Sequence, residues 1–440
     1  MYMNKVTPID PAMLARFEQG FDARPELQVM SNAISRTSLE DAAFVPAAAA
    51  KLRMDFSVLV PTTKVTWQQQ SGRCWMFSTM NVLRRRVIQK CNLEDFSFSQ
   101  TYLAFYDKLE KANLFFENIL HFADQDLDDR ETFELMGHPL PDGGQWDMAI
   151  ALTKKYGLVP SWVMPETVAS TGTAKYLPIL TRKMREDALE LRKLVREGKD
   201  PSARREEMLA EIYNALRVLY GQPPKTFDFE YTDKDGVYHC DKNLTPRTFM
   251  EKYVGNDFDE YVVVIASPIH EKNRTYCQPF MGDVVEENMF WLNLSQEELE
   301  DLTIRQLKAG EGVMFSCDCH PDGDRKNGYW DPDSFQYGEV LGGLTFGMTK
   351  AERLLTRDST MNHCMMFCGV NLDENGTANR WKIENSWGEQ NGQKGYYIGS
   401  EKWFKANVYQ ITVRKELLSD AQRKLLEQEP LPMKLWDPLA

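Results

Sequence analysis

The chain has 440 residues, 42% of them hydrophobic, with 52 basic against 65 acidic side chains and a net charge of −13. That length predicts about three domains, and the acidic balance, with no basic run longer than Arg84-Arg85-Arg86, argues against a surface that tracks nucleic acid. The opening "MYMNKVTPID" lacks a signal peptide's apolar core, the run "YVVVIA" (261–266) is too short to span a bilayer, and eight cysteines form no disulfide framework, so a cytoplasmic setting is expected.

Residues 1–55 read as a polar lead-in of helix and loop. At "QQQSGRCWMFSTMN" (68–81) a thiol stands where a helix begins, and Phe77, Met80, Leu83 and Val87 recur on one helical face. A second helix is expected over 98–120. A Gly143-Gly144 loop follows, then a helix ending near Gly157. Between 170 and 222, Met184, Ala188, Leu191 and Val195, and then Met208, Ile212, Ala215 and Leu219, predict a charged helical hairpin. From about residue 310 the pattern turns to strands: "GVMFSC" (312–317), "HCMMFCGV" (363–370), "RWKIENSW" (380–387), "GYYIGS" (395–400) and "YQITV" (409–413). Helices first and a mainly antiparallel sheet later is an α+β pattern.

Cys74 admits three readings from its residues: a buried core thiol, a metal ligand or a nucleophile. A helix N-terminus stabilises a thiolate, and an imidazole does so better and also carries the proton. Of six histidines only His363 opens a predicted buried strand. Asn385 can accept the other imidazole N–H and fix the ring. Gln68 can donate to an oxyanion together with the Cys74 N–H. A metal reading rests on Cys317-x-Cys319-His320 and on His363-Cys364-x3-Cys368. The first has no spaced second pair, and in the second adjacent strand residues leave opposite faces.

Ser71-Gly72-Arg73-Cys74-Trp75, followed far downstream by "MNH" and "ENSWGE", resembles the papain-like cysteine peptidases. It is most similar to their bleomycin hydrolase and aminopeptidase C branch, as are "SQTYLAFYDKLEKAN", "DGGQW", "KKYGLVP", "KMREDALELR" and "KAERL" in the same order. The resemblance implies a papain-like two-lobed catalytic fold with a large, mainly helical insertion. The lead-in would cover 1–55, the helical lobe with the cysteine 56–165, the insertion 166–309, and the β lobe with His363 and Asn385 310–425. A tail of residues 426–440 would run towards the active site.

Carried over, Cys74 is the nucleophile, His363 the acid and base, Asn385 its orienter and Gln68 the oxyanion donor, with Trp387 covering the His–Asn bond. Gly143 and Gly144 would pair with an extended peptide substrate, and the Ala440 carboxylate would hold its free amine. No metal or organic cofactor is required. The family implies a homohexamer. The ending "LWDPLA" is shorter than the family's usual tail, so endopeptidase (oligopeptidase) action is the alternative expectation. A thiol acyltransferase and a non-catalytic scaffold on the same fold are the competing classes.

Overall fold

The structure is a computed structural model that describes residues 7–439. Its centre is a 12-stranded sheet. Along it lie Leu431–Pro432, Arg274–Cys277, Phe290–Asn293, Tyr261–Ile265, Val408–Arg414, Val313–Cys317, His363–Leu372, Ala378–Glu384, Tyr396–Ser400, Tyr329–Trp330 and Gly323–Asp324. Val58–Leu59 pairs separately with the His363 strand. Most pairings are antiparallel. The α+β class is as expected, but the sheet starts earlier than the sequence pattern placed it. "YVVVI" is a strand buried along its whole length and pairs with Val408–Arg414.

The period of two explains why "HCMMFCGV" is apolar throughout. Cys364, Met366 and Cys368 join the cluster built by the helix Cys74–Lys90, whereas Met365 and Phe367 join the opposite cluster with Leu299, Leu302 and Leu307 of the helix Gln296–Lys308. The strand is therefore covered on both faces.

The Cys74 helix is buried well beyond one stripe. Trp75, Met76, Phe77, Met80, Leu83 and Val87 are all inside, and so is Arg84. The run Arg84-Arg85-Arg86 on this helix is divided among partners. Arg84 meets the buried Glu384, Arg85 donates to the Pro61 carbonyl and Arg86 pairs with Asp257.

Around this lie Gln100–His121 and Trp146–Tyr156, the latter ending at Gly157 with φ +78°. A Cβ there would stand 2.3 Å from the Pro246 backbone, so a glycine is required. The helices Leu177–Arg196 and Ser202–Tyr220 pack on Gln100–His121 through Met184, Ala188, Leu191, Met208, Ile212 and Leu216. Arg192 Nη1 donates to the Phe122 carbonyl at 3.0 Å and Arg205 Nη1 to Asn113 at 2.8 Å. A separate two-stranded hairpin, Phe227–Thr232 with Tyr238–Leu244, follows.

Near the N-terminus, Pro11–Asp22 and Pro25–Ile34 bury no residue. They leave Leu14, Phe17, Phe21 and Val29 exposed, beside a loop exposing Leu341, Leu344, Phe346 and Met348. Arg24 Nη1 ties this pair of helices to the loop through the Gly342 carbonyl at 2.7 Å. Among the described residues no helix is long and apolar enough to cross a membrane.

Candidate active site

Cys74 is the first residue of its helix, and Arg73 at the cap position makes no side-chain capping bond. The N–H groups of Met76 and Phe77 are taken by the Arg73 carbonyl, which leaves those of Cys74 and Trp75 open, and the positive end of the helix dipole lies at the sulfur. Arg73 turns away: its Nη1 pairs with Glu166 at 3.0 Å and its Nε donates to Ser71 Oγ at 2.9 Å.

His363 and Cys364 leave opposite faces of one strand, with the Cys364 thiol in the buried cluster of the Cys74 helix. His363 Nε2 is 2.8 Å from Asn385 Oδ1. That bond occupies Nε2 and leaves Nδ1 as the imidazole nitrogen for Cys74. The Trp387 indole stacks on the imidazole with ring centroids 4.7 Å apart, shielding the His–Asn bond. Asn385 Oδ1 also accepts the Ser386 N–H at 2.7 Å, which fixes the amide. The Cys364 thiol and the His363 imidazole outweigh burial and hold the Cys74 thiol well below its ordinary range. Cys364 itself is pushed well above that range, first by its bond to Cys74 and then by burial.

Gln68 is buried beside them. Ser386 Oγ donates to its Oε1 at 2.6 Å, which directs Nε2 towards the Ser71 carbonyl at 2.5 Å. One of the two Nε2 hydrogens is used there, so the other is free for a developing oxyanion. Ser386 thus links "ENSWG" to Gln68, a coupling invisible in either motif alone.

Gly143 and Gly144 belong to a loop held next to the thiol by charges that the sequence pattern did not single out. Lys111 Nζ donates to the Gly143 carbonyl at 2.6 Å and Lys108 Nζ to that of Pro141 at 2.9 Å. Lys108 also pairs with Asp107 and Asp142, each at 3.0 Å, inside the protein. Asp142 receives the Gly72 N–H at 2.5 Å and the Thr173 hydroxyl at 2.6 Å. Burial opposes its ionisation, but the Lys108 charge and these donors prevail and hold it below the usual carboxylate range. Gly144 lies against the Trp75 indole so closely that a Cβ would stand 2.6 Å from it.

The tail lies close by. Asp437 Oδ2 contacts His270 Nε2 at 2.9 Å, and His270 Nδ1 meets Ser267 Oγ at 2.6 Å. Thr360 Oγ1, just before the His363 strand, donates to the Pro438 carbonyl at 3.0 Å, and Leu439 is fully buried. Ala440 lies outside the described residues. Cys317, Cys319 and His320 do not converge, and among the described residues no group of three or more His, Cys, Asp and Glu is placed to hold a metal ion.

The Peptidase C1-like family model matches residues 8–440. The chain belongs to that family. It is 43% identical to aminopeptidase G of Lactobacillus delbrueckii subsp. lactis over 433 residues, covering 97% of this chain and 98% of the relative. It is 39% identical to aminopeptidase C of Listeria innocua, covering 98% of each. The crystal structure of PepW from Lactobacillus rhamnosis superposes with a TM-score of 0.96 at 39% identity, covering 98% of this chain and 99% of that one. The fold is that of the papain-like peptidases, and the protein is a cysteine-type peptidase acting on peptide substrates.

Proposed function

We propose that this protein is a cysteine aminopeptidase of the aminopeptidase C type, with Cys74 as nucleophile, His363 as acid and base, Asn385 as orienter and Gln68 as oxyanion donor. The observation that carries the reading is the His363–Asn385 bond of 2.8 Å, which frees the opposite imidazole nitrogen for a thiol at a helix start. Thiolate Cys74 attacks the substrate carbonyl, and the charge moving onto oxygen is met by Gln68 Nε2 and the Cys74 N–H. His363 protonates the departing amine and leaves a thioester. His363 then takes a proton from water, which releases the acid and restores the thiol. Gly143 and Gly144 form the rim against which the substrate backbone lies.

The docked tail supports removal of N-terminal residues over internal cleavage. Asp437 is held by His270, the Pro438 carbonyl by Thr360, and Leu439 is buried in the main apolar cluster, so the tail is docked on the body of the protein. Ala440, the next residue, would supply the carboxylate for the substrate ammonium. Peptides with free and with acetylated N-termini test this. Stepwise loss of N-terminal residues from the free set alone is expected, and internal cleavage of the blocked set would refute it.

Two further features complete the proposal. Leu14, Phe17, Phe21 and Val29 of the N-terminal helices and Leu344 and Phe346 of the loop tied to them are exposed, and exposed apolar side chains grouped in this way mark interaction surfaces. This supports a homo-oligomer, and the resemblance sets the number at six. The eight cysteines are all free, which suits a reducing cytoplasm.

A further inference from the structure

A cavity of about 520 Å³ is lined by the helix Trp146–Tyr156, the strand Tyr261–Ile265 and the segment 282–292. Cys74, Gln68, His363, Asn385 and the Gly143-Gly144 loop take no part in its walls, nor do Asp437, Pro438 and Leu439 of the tail. The walls are aromatic, with Trp146, Phe258, Tyr261 and Trp291, and the Trp146 and Tyr261 ring centroids are 5.1 Å apart. The charge around the cavity is negative. Asp147, Asp259, Asp283, Glu286 and Glu287 line it against Lys154 and Lys415, and Lys154 is already paired with Asp259 at 2.6 Å.

Asp283 is 2% exposed. Its Oδ1 accepts the Val284 N–H at 2.7 Å, while among the described residues its Oδ2 has no hydrogen-bond partner. Lys111, whose charge is felt at Asp283, is committed elsewhere. Its Nζ meets the Gly143 carbonyl at 2.6 Å, the Pro141 carbonyl at 3.1 Å and Asp107 at 2.9 Å. A second wall residue, Gln428, also has a buried Oε1 without a partner among the described residues. Carboxylate and amide oxygens accept, and a buried acceptor left unmet is costly. What enters this cavity must therefore donate.

We propose that the cavity is a second binding site, one for an organic cation that carries a primary ammonium on an apolar body. The body packs on the aromatic walls, whose ring faces also attract a cation. The ammonium donates to Asp283 Oδ2. Only one oxygen of that carboxylate is open, which suits a compact ammonium better than a guanidinium fork that matches two. Burial pushes Asp283 well above the usual carboxylate range, and it pushes Asp147, which accepts from Trp291 Nε1 at 3.0 Å, up to about 7. A bound ammonium offsets that penalty in both. The same chemistry is offered by a free amine and by the lysine side chain of a peptide.

The test is isothermal titration calorimetry on the purified full chain at neutral pH. The probes are phenethylamine, its uncharged counterpart 2-phenylethanol, and Nα-acetyllysine amide. An amine is expected to bind the wild type about tenfold more tightly than 2-phenylethanol. Asp283→Asn keeps an acceptor for the Val284 N–H and removes the charge, so amine binding should weaken about tenfold while that of 2-phenylethanol stays. Gln428→Leu, on the half-buried chain that leads to the tail, should weaken it a few-fold and decides the matter if Asp283→Asn does not fold. Tighter binding of phenethylamine than of Nα-acetyllysine amide assigns the site to a free amine, and the reverse order to a peptide lysine. An amine held at the tail carboxylate instead would bind both variants as it binds the wild type, and that result overturns the proposal. So does equal binding of phenethylamine and 2-phenylethanol by the wild type, or no binding of either amine at millimolar concentration.

Discussion

A thiol pulled below its ordinary range reacts at pH values where free cysteine does not. Free cysteine titrates near about 8.5. The Cys364 and His363 contacts lower Cys74, so its thiolate persists as the pH falls below that value and is lost only on further acidification. The rate of Cys74 alkylation is therefore expected to stay level across neutral pH and to fall only in acid. In Cys364→Ala the fall should begin at higher pH, because the largest lowering influence is gone. Rates that track those of a free thiol would contradict the geometry. Cys74→Ala should abolish hydrolysis while leaving the circular dichroism spectrum unchanged. His363→Ala should lose about 10²–10⁴-fold in kcat, the range for a positioned acid–base group. Asn385→Ala should lose less, because it holds the ring and moves no proton; equal losses in steady-state assays would speak against that division. These residues were legible because each carries chemistry in a short motif. Asp142, Lys108 and Lys111 were not, because a buried ion pair leaves no pattern in a sequence with 27% charged residues. Ser386 lay within view in "ENSWG", yet its bond to Gln68 joins positions far apart in the chain.

Elements set how firmly those residues are held. Arg84 of the Cys74 helix and Glu384, the residue before Asn385, form a buried ion pair that joins the two halves of the site. Removing one partner strands a charge, which typically costs about 3–5 kcal/mol. Arg84→Met is thus expected to lower the denaturant midpoint strongly and to reduce kcat. A variant as stable as the wild type would show that the pair is replaceable. Gly144→Ala forces a methyl into the Trp75 indole, an overpacking worth about 1–3 kcal/mol. The loop must shift, so KM should rise, and an unchanged KM would place substrate elsewhere. Most elements could be read from periodicity: Phe77, Met80, Leu83 and Val87 fell on one helical face, and the helical hairpin at Met184 and Met208 followed the same rule. The strand Tyr261–Ile265 escaped because an aliphatic run of that length fits strand or buried helix equally, and only its partner Val408–Arg414 decides.

At the scale of the whole molecule, the proposed function gives the tail a say in what reaches the site and the N-terminal helices a place where copies would meet. His270 fastens Asp437, so His270→Ala should release the tail. Release of single N-terminal residues is expected to fall while internal cleavage of acetylated peptides appears. If the variant keeps its exopeptidase profile, the tail is held by other contacts. Phe17→Glu with Phe21→Glu places charge in the exposed apolar surface, and light scattering should then report a smaller particle than for the wild type. No such interface could be read beforehand, since the helical periodicity of a surface face does not say whether its apolar residues meet the core or another copy.

The sheet order carries a consequence for how the protein is made. Val408–Arg414 sits between Tyr261–Ile265 and Val313–Cys317, and the latter borders the His363 strand. A strand from near the end of the chain is thus the keystone between two halves synthesised long before it. Pairings between such distant segments form late and slowly. The two parts of the sheet are therefore joined only once Val408–Arg414 is in place, and a chain that lacks this strand is expected to hold them unlinked.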